Sequence, residues 1–135
     1  MSHKFPFEKL EVWSLAKDFV KRIYSVTKGF PDDERFGLVS QINRAAVSVA
    51  STIAEGSARA SRKDQGHFSQ IAYGSLMEIA CQLVIACELG YIKEPEYSEL
   101  RHSLEKISNK LNALRKYQLS FYRLNNSTVK RFNKQ

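Results

Sequence analysis

Between Phe36 and Gly56 an apolar residue returns every three or four positions, at Leu38, Ile42, Ala45, Val49 and Ile53. That spacing turns one stripe of an α-helix toward a core. Beside the stripe stand Ala46, Ser48, Ala50, Ser51 and Ala54, so a neighbouring helix meets little side-chain bulk on approach. A chain organised around such a stretch has to pack helix against helix at short range. Gly56 stands where a helix commonly ends on a left-handed residue, and it predicts the stop.

The remaining sequence supplies the partners. Glu8 to Lys28 carries Leu10, Trp13, Ala16, Val20, Ile23 and Thr27 along one side, with Val12, Leu15, Phe19 and Val26 widening the face, and Gly29-Phe30-Pro31 closes it. Asp32, Asp33 and Glu34 favour the positive start of the next helix. Ser61 to Asp64 has the form of a capping box with Asp in the last place. Beyond it, a third helix bears two apolar seams, one through Phe68, Ile71, Ser75, Ile79 and Leu83, the other through Leu76, Ala80, Val84 and Cys87. A helix apolar on two faces is either central in its fold or half covered by another subunit. After the break at Gly90 to Pro95, Tyr97, Leu100, Leu104, Ile107, Leu111, Leu114, Gln118 and Phe121 form a near-heptad seam.

Helices are therefore expected at about 8–28, 34–55, 62–89 and 95–122, forming one bundle over 8–124, with a leader at 1–7 and a basic flexible tail at 125–135. Short loops between helices of similar length make neighbours antiparallel. The fold class expected is all-α, an antiparallel up-down-up-down four-helix bundle. Cys81 and Cys87 fall on different faces of one helix, cannot bridge each other, and read as small buried hydrophobes. Residues 1–7 lack a signal peptide's apolar core, and no uninterrupted apolar run approaches the roughly 20 residues that span a bilayer, so a soluble, cytoplasmic chain without membrane contact is expected.

The formal charge of +7 is unevenly placed: residues 1–56 carry +1, 57–92 carry zero and 93–135 carry +6. No acidic residue follows Glu105. In the expected topology the start of the first helix, the second loop and the end of the fourth helix share one end of the bundle. That end gathers Arg59, Arg62, Lys63, Arg115, Lys116, Arg123, Lys130 and Arg131, the candidate nucleic-acid-binding residues. Aromatic Phe121, Tyr122 and Phe132 lie among them and offer faces for unpaired bases while the cations meet phosphate. An acidic protein is the alternative partner for the same charge.

The chemistry that other bundles carry is missing its parts. Glu99-Leu100-Arg101-His102 fits a Glu-x-x-His iron motif and Asp64-Gln65-Gly66-His67 is a loose variant, but they begin the fourth and third helices, at opposite ends of an antiparallel pair. There is no Gly-x-Ser-x-Gly, no phosphate-cradling glycine loop and no Cys-x-x-Cys. No enzyme, catalytic residue, cofactor, metal or small-molecule substrate is expected. Glu55 reads as a helix-end residue, Trp13 and Arg44 as packing and surface residues.

Phe7-Glu8-Lys9-Leu10-Glu11-Val12-Trp13, Phe36-Gly37-Leu38, Gln41 to Val49, Ile53-Ala54-Glu55-Gly56 and Phe68 to Glu78 together resemble the bacterial four-helix-bundle proteins first noticed inside intervening sequences of 23S ribosomal RNA genes. The resemblance covers roughly 7–120. Asn43 stands where those proteins often carry a second Arg, and Ser51-Thr52 replaces their usual Ala-Asn. The resemblance implies a non-enzymatic bundle assembling as a homo-oligomer, a pentameric ring, through the second apolar face of the third helix. It also implies a distant likeness in fold to accessory proteins of diversity-generating retroelements, which bind a reverse transcriptase and nucleic acid.

Overall fold

The computed structural model describes the backbone of residues 4–133 and side chains as far as Ser120. Four α-helices carry the fold: α1 (Glu11–Thr27), α2 (Leu38–Ser57), α3 (Arg62–Glu88) and α4 (Glu94–Asn133). Each helix packs on the next in sequence, and α4 closes the square against α1, while the diagonal pairs do not meet. This is the antiparallel four-helix bundle that the periodicity predicts, and no strand occurs among the described residues.

Local chemistry sets most of the boundaries. Ser61 Oγ accepts the Asp64 N–H at 3.1 Å and so caps α3. At the other end of α3, Gly90 takes φ 81°. The Gly90 N–H reaches the Cys87 carbonyl and the Tyr91 N–H the Ala86 carbonyl, at 3.0 and 2.9 Å. That is a Schellman closure, in which the left-handed residue satisfies carbonyls the helix cannot. Pro95 sits in the first turn of α4, where its missing N–H costs nothing.

Four expectations are corrected. Gly56 is not a left-handed cap: α2 runs through it to Ser57, and Gly90 is the one glycine with positive φ among the described residues. A Cβ on Gly56 would lie 2.8 Å from Phe68 Cβ, so its missing side chain lets α3 close on α2. The acidic run Asp32–Glu34 forms its own 3₁₀ turn, and α2 begins only at Leu38. Pro6–Lys9 is likewise a separate 3₁₀ turn before α1, stacked by Phe7 edge-on against Trp13 at 4.8 Å. The expected tail from 125 falls inside α4, which continues to Asn133 because no Gly or Pro interrupts the chain after Pro95.

The core is one contiguous cluster. Ile23, Ile42, Leu76, Ile79, Leu83, Leu100, Ile107 and Leu111 are its largest fully buried side chains. In α1 the deepest seam is Val12, Ala16, Phe19 and Ile23, a turn of the wheel away from the Trp13–Val20 side. In α3 the buried seam runs through Ser69, Ala72, Leu76, Ile79, Leu83 and Ala86, between the two expected ones. Residues to either side, Ile71, Met77, Val84 and Ile85, remain exposed. Cys81 is exposed and Cys87 half-buried, because among the described residues no helix covers the outer face of α3.

α3 is long and apolar enough by composition to cross a membrane, yet only 33% of its most apolar stretch is buried in the bundle. Its inner face packs on α2 and α4, as a core helix does; its outer face is left apolar.

Candidate nucleic-acid interface

The start of α1, the α2–α3 loop and the middle of α4 share one end of the bundle. Lys110 pairs with Glu11 at 3.1 Å, fixing the start of α1 against the middle of α4. Gly66 lies against Leu119, where a Cβ would come within 2.7 Å of Leu119 Cδ2, and the buried Ser69 hydroxyl donates to Gln118 Oε1 at 2.7 Å. These contacts bring the first turns of α3 beside α4 near residue 120.

The cations of this end are seated on aromatic rings. The Arg59 guanidinium lies 4.3 Å from the Phe68 ring centroid, Arg62 5.3 Å from Tyr117, and Arg115 5.1 Å from Tyr73. A guanidinium held on a ring gains about 0.5–1 kcal/mol at an exposed site and loses less freedom when it meets a second partner. Gln65 ties the α2–α3 loop together: its Nε2 donates to the Arg59 carbonyl at 2.9 Å, and its Oε1 accepts from Arg62 at 3.1 Å. Lys63 stands on the first turn of α3 and Lys116 on α4, both exposed.

The acids near this cluster are largely engaged in structure. Glu8 accepts the Phe5 N–H at 3.0 Å, and Glu11 is held by Lys110. Asp64 sits at the positive start of α3, while Glu55 is exposed on α2. The opposite end collects Asp32, Asp33, Glu34, Glu94, Glu96 and Glu99, and Glu99 pairs there with Arg22. The charge polarity read from the topology is thus built into the fold.

Of the eight candidate residues, Arg59, Arg62, Lys63, Arg115 and Lys116 come together. Arg123, Lys130 and Arg131 continue along α4, and their side chains lie outside the described residues, as do those of Phe121, Tyr122 and Phe132. Sequence reasoning missed the rings under the arginines. Phe68 reads as a seam position and Tyr73 and Tyr117 carry no role in the sequence reading, and only the antiparallel pairing of α3 with α4 brings Tyr73 to Arg115 and Tyr117 to Arg62.

His67 and His102 sit far apart along the axis, one on the first turns of α3 and the other on the first turns of α4. Among the described residues no three His, Cys, Asp or Glu side chains gather as a metal site would require.

A sequence model for 23S rRNA-intervening sequence proteins matches residues 8–113. The chain belongs to the 23S rRNA-intervening sequence protein family. The match spans α1 to α3 and the first half of α4, and stops before Arg115 and Lys116. No curated protein matches the chain. A crystal structure of a protein of unknown function from the S23 ribosomal protein family of Bacteroides thetaiotaomicron superposes with a TM-score of 0.73 at 24% identity, covering 78% of this chain and 95% of the other. At that identity the likeness is one of fold. This family member therefore shares its bundle with a solved relative, while its basic end must be read from its own residues.

Proposed function

We propose that this 23S rRNA-intervening sequence protein is a non-enzymatic, cytoplasmic homo-oligomer that binds RNA or DNA through its basic end. The observation that supports the reading most is the convergence of Arg59, Arg62, Lys63, Arg115 and Lys116 where the α2–α3 loop and the start of α3 lie beside α4, with nearby Glu8 and Glu11 already engaged. Three of those guanidiniums are preset on rings, and α4 carries Arg123, Lys130 and Arg131 onward from the same place. Such an end neutralises phosphates without a groove-reading motif, so it binds by charge and shape more than by base sequence. A pentamer is the assembly the family resemblance suggests, and the likeness to retroelement accessory proteins enters only as an analogy of fold.

The test is binding of single- and double-stranded oligonucleotides over a salt series. Each Lys or Arg that meets a phosphate contributes roughly 0.7 to 0.9 to the slope of log affinity against log salt. Replacing Lys63 and Lys116 by Gln is expected to lower the slope by about one to two and to weaken all sequences alike. A protein that binds no polynucleotide at about 0.1 M salt, where the Debye length is still near 10 Å, refutes the reading. Capture of one acidic protein, unaffected by nuclease, would then favour a scaffold subunit.

A further inference from the structure

Ahead of α1, at the basic end, the side chains form a ladder of rings. The Phe5 and Phe7 rings lie parallel within 5°, with centroids 5.9 Å apart. Phe7 meets Trp13 edge-on at 4.8 Å, and Lys17 lies 5.3 Å from the Trp13 ring. Phe7 and Trp13 are half-buried, whereas Phe5, the last rung, is 66% exposed. Its backbone is nevertheless fixed. The Phe5 N–H donates to Glu8 Oε1 and the Phe5 carbonyl accepts the Glu8 N–H, both at 3.0 Å, and Pro6 sets the next φ. A large apolar ring is thus held in place with most of its surface in water, a cost that no packing within this subunit offsets.

Cations stand around it. Lys4 and Lys9 flank Phe5 in the chain and are exposed. The acids of the same segment are engaged: Glu8 by the Phe5 N–H, Glu11 by Lys110 at 3.1 Å, and Asp18 by Lys17 at 4.0 Å. Glu55 on α2 and Asp64 on α3 are the exposed acids of this end. Tyr117, next to Lys116 and with Arg62 5.3 Å from its ring, is 51% exposed there as well. The other exposed rings among the described residues, Tyr24 and Phe36, stand toward the acidic end. An exposed ring beside Lys and Arg suits a base with a face to spare, its phosphate meeting the neighbouring cation. Along a duplex the bases already stack on one another and present only backbone to such a ring.

We propose that the basic end takes an unpaired nucleic-acid strand, with bases stacking on Phe5 and Tyr117 while Lys4, Lys9 and Lys116 meet the adjacent phosphates. The inference rests on the nucleic-acid part of the proposed function. It names the class of strand and two contact rings that charge alone does not single out. Stacking of this kind tolerates any base, in keeping with an end that carries no groove-reading motif. Because the Phe5 backbone is already ordered, little further freedom is lost when a base settles on its ring.

The test compares oligo-dT, which does not pair with itself, with a duplex of the same length, by fluorescence anisotropy on the full chain at about 0.1 M salt. Wild type is expected to bind oligo-dT at least about 5-fold tighter, the worth of one stacked base. Phe5→Leu and Tyr117→Leu keep apolar bulk and remove the aromatic face, and circular dichroism and melting establish that each is folded. Each is expected to weaken oligo-dT about 5-fold or more, and the duplex less. The salt slope should stay at its wild-type value, because a ring releases no counter-ions. Phe5→Tyr, which restores a ring, is expected to bind oligo-dT as wild type does. Equal or tighter binding of the duplex overturns the proposal, as does a Phe5→Leu protein with wild-type affinity for oligo-dT; either result leaves the nucleic-acid reading standing. Binding of neither polynucleotide refutes that reading itself, and this inference with it.

Discussion

Substituting Ala for Gly56 and for Gly74 should move stability in opposite directions, although both glycines lie inside helices. Helix propensity alone favours Ala over Gly by about 0.8–1 kcal/mol at either site. At Gly74 a Cβ meets nothing within 4 Å, so the full gain should appear. At Gly56 a Cβ falls 2.8 Å from Phe68 Cβ, at least 0.6 Å inside ordinary contact. Phe68 Cβ moves only with its backbone, so no rotamer change relieves the overlap and α2 must part from α3. Overpacking of that kind costs about 1–3 kcal/mol. Gly56→Ala should therefore be destabilised by up to about 2 kcal/mol after the propensity gain is counted. The two variants should differ by the overpacking cost alone, which at this chain length is a gap of roughly 3–9 °C in Tm. Thermal melts and urea titrations of the two variants measure the difference. Equal stability of the two variants would falsify the claim that Gly56 is there for helix approach.

Further outcomes follow from the same contacts. Ser69→Ala leaves the buried Gln118 Oε1 without its donor and should cost about 1–3 kcal/mol in a urea titration. Adding Gln118→Leu should recover part of that loss, since it removes the orphaned acceptor. Arg22→Ala breaks an exposed pair with Glu99 and should cost under about 1 kcal/mol. Burial, with Glu94 and Glu88 beside it, raises the Cys87 thiol above its ordinary range, which leaves less thiolate at pH 8. Iodoacetamide should label the exposed Cys81 ahead of Cys87, and Glu94→Gln should speed Cys87. Faster labelling of Cys87 in the parent would count against both the exposure and the charge argument.

Much of the candidate interface was legible from charge order. Once four antiparallel helices are expected, residues 57–63 and the end of the fourth helix must share an end, and Arg59, Arg62, Lys63, Arg115 and Lys116 do. The aromatic seats were not legible. Arg62 and Tyr117, or Tyr73 and Arg115, are separated by more than 40 residues, and nothing local to either member announces the pair.

The sequence by itself determined the number of helices, the α3 cap at Ser61 and the α4 seam at Leu100, Leu104, Ile107 and Leu111. These follow from local hydrogen bonding and from a strict three-and-four spacing, which no neighbour is needed to interpret. Only the tertiary structure decided which face of α3 goes inside. An apolar residue every three or four positions on two seams is equally satisfied by either, and the choice falls between them, on Ala72, Leu76 and Ile79, where α2 and α4 both reach. The tertiary structure also decided what Gly56 is for. A glycine near a helix end looks alike whether it frees the backbone or frees space, and it is the 2.8 Å from a virtual Cβ to Phe68 that assigns it to space.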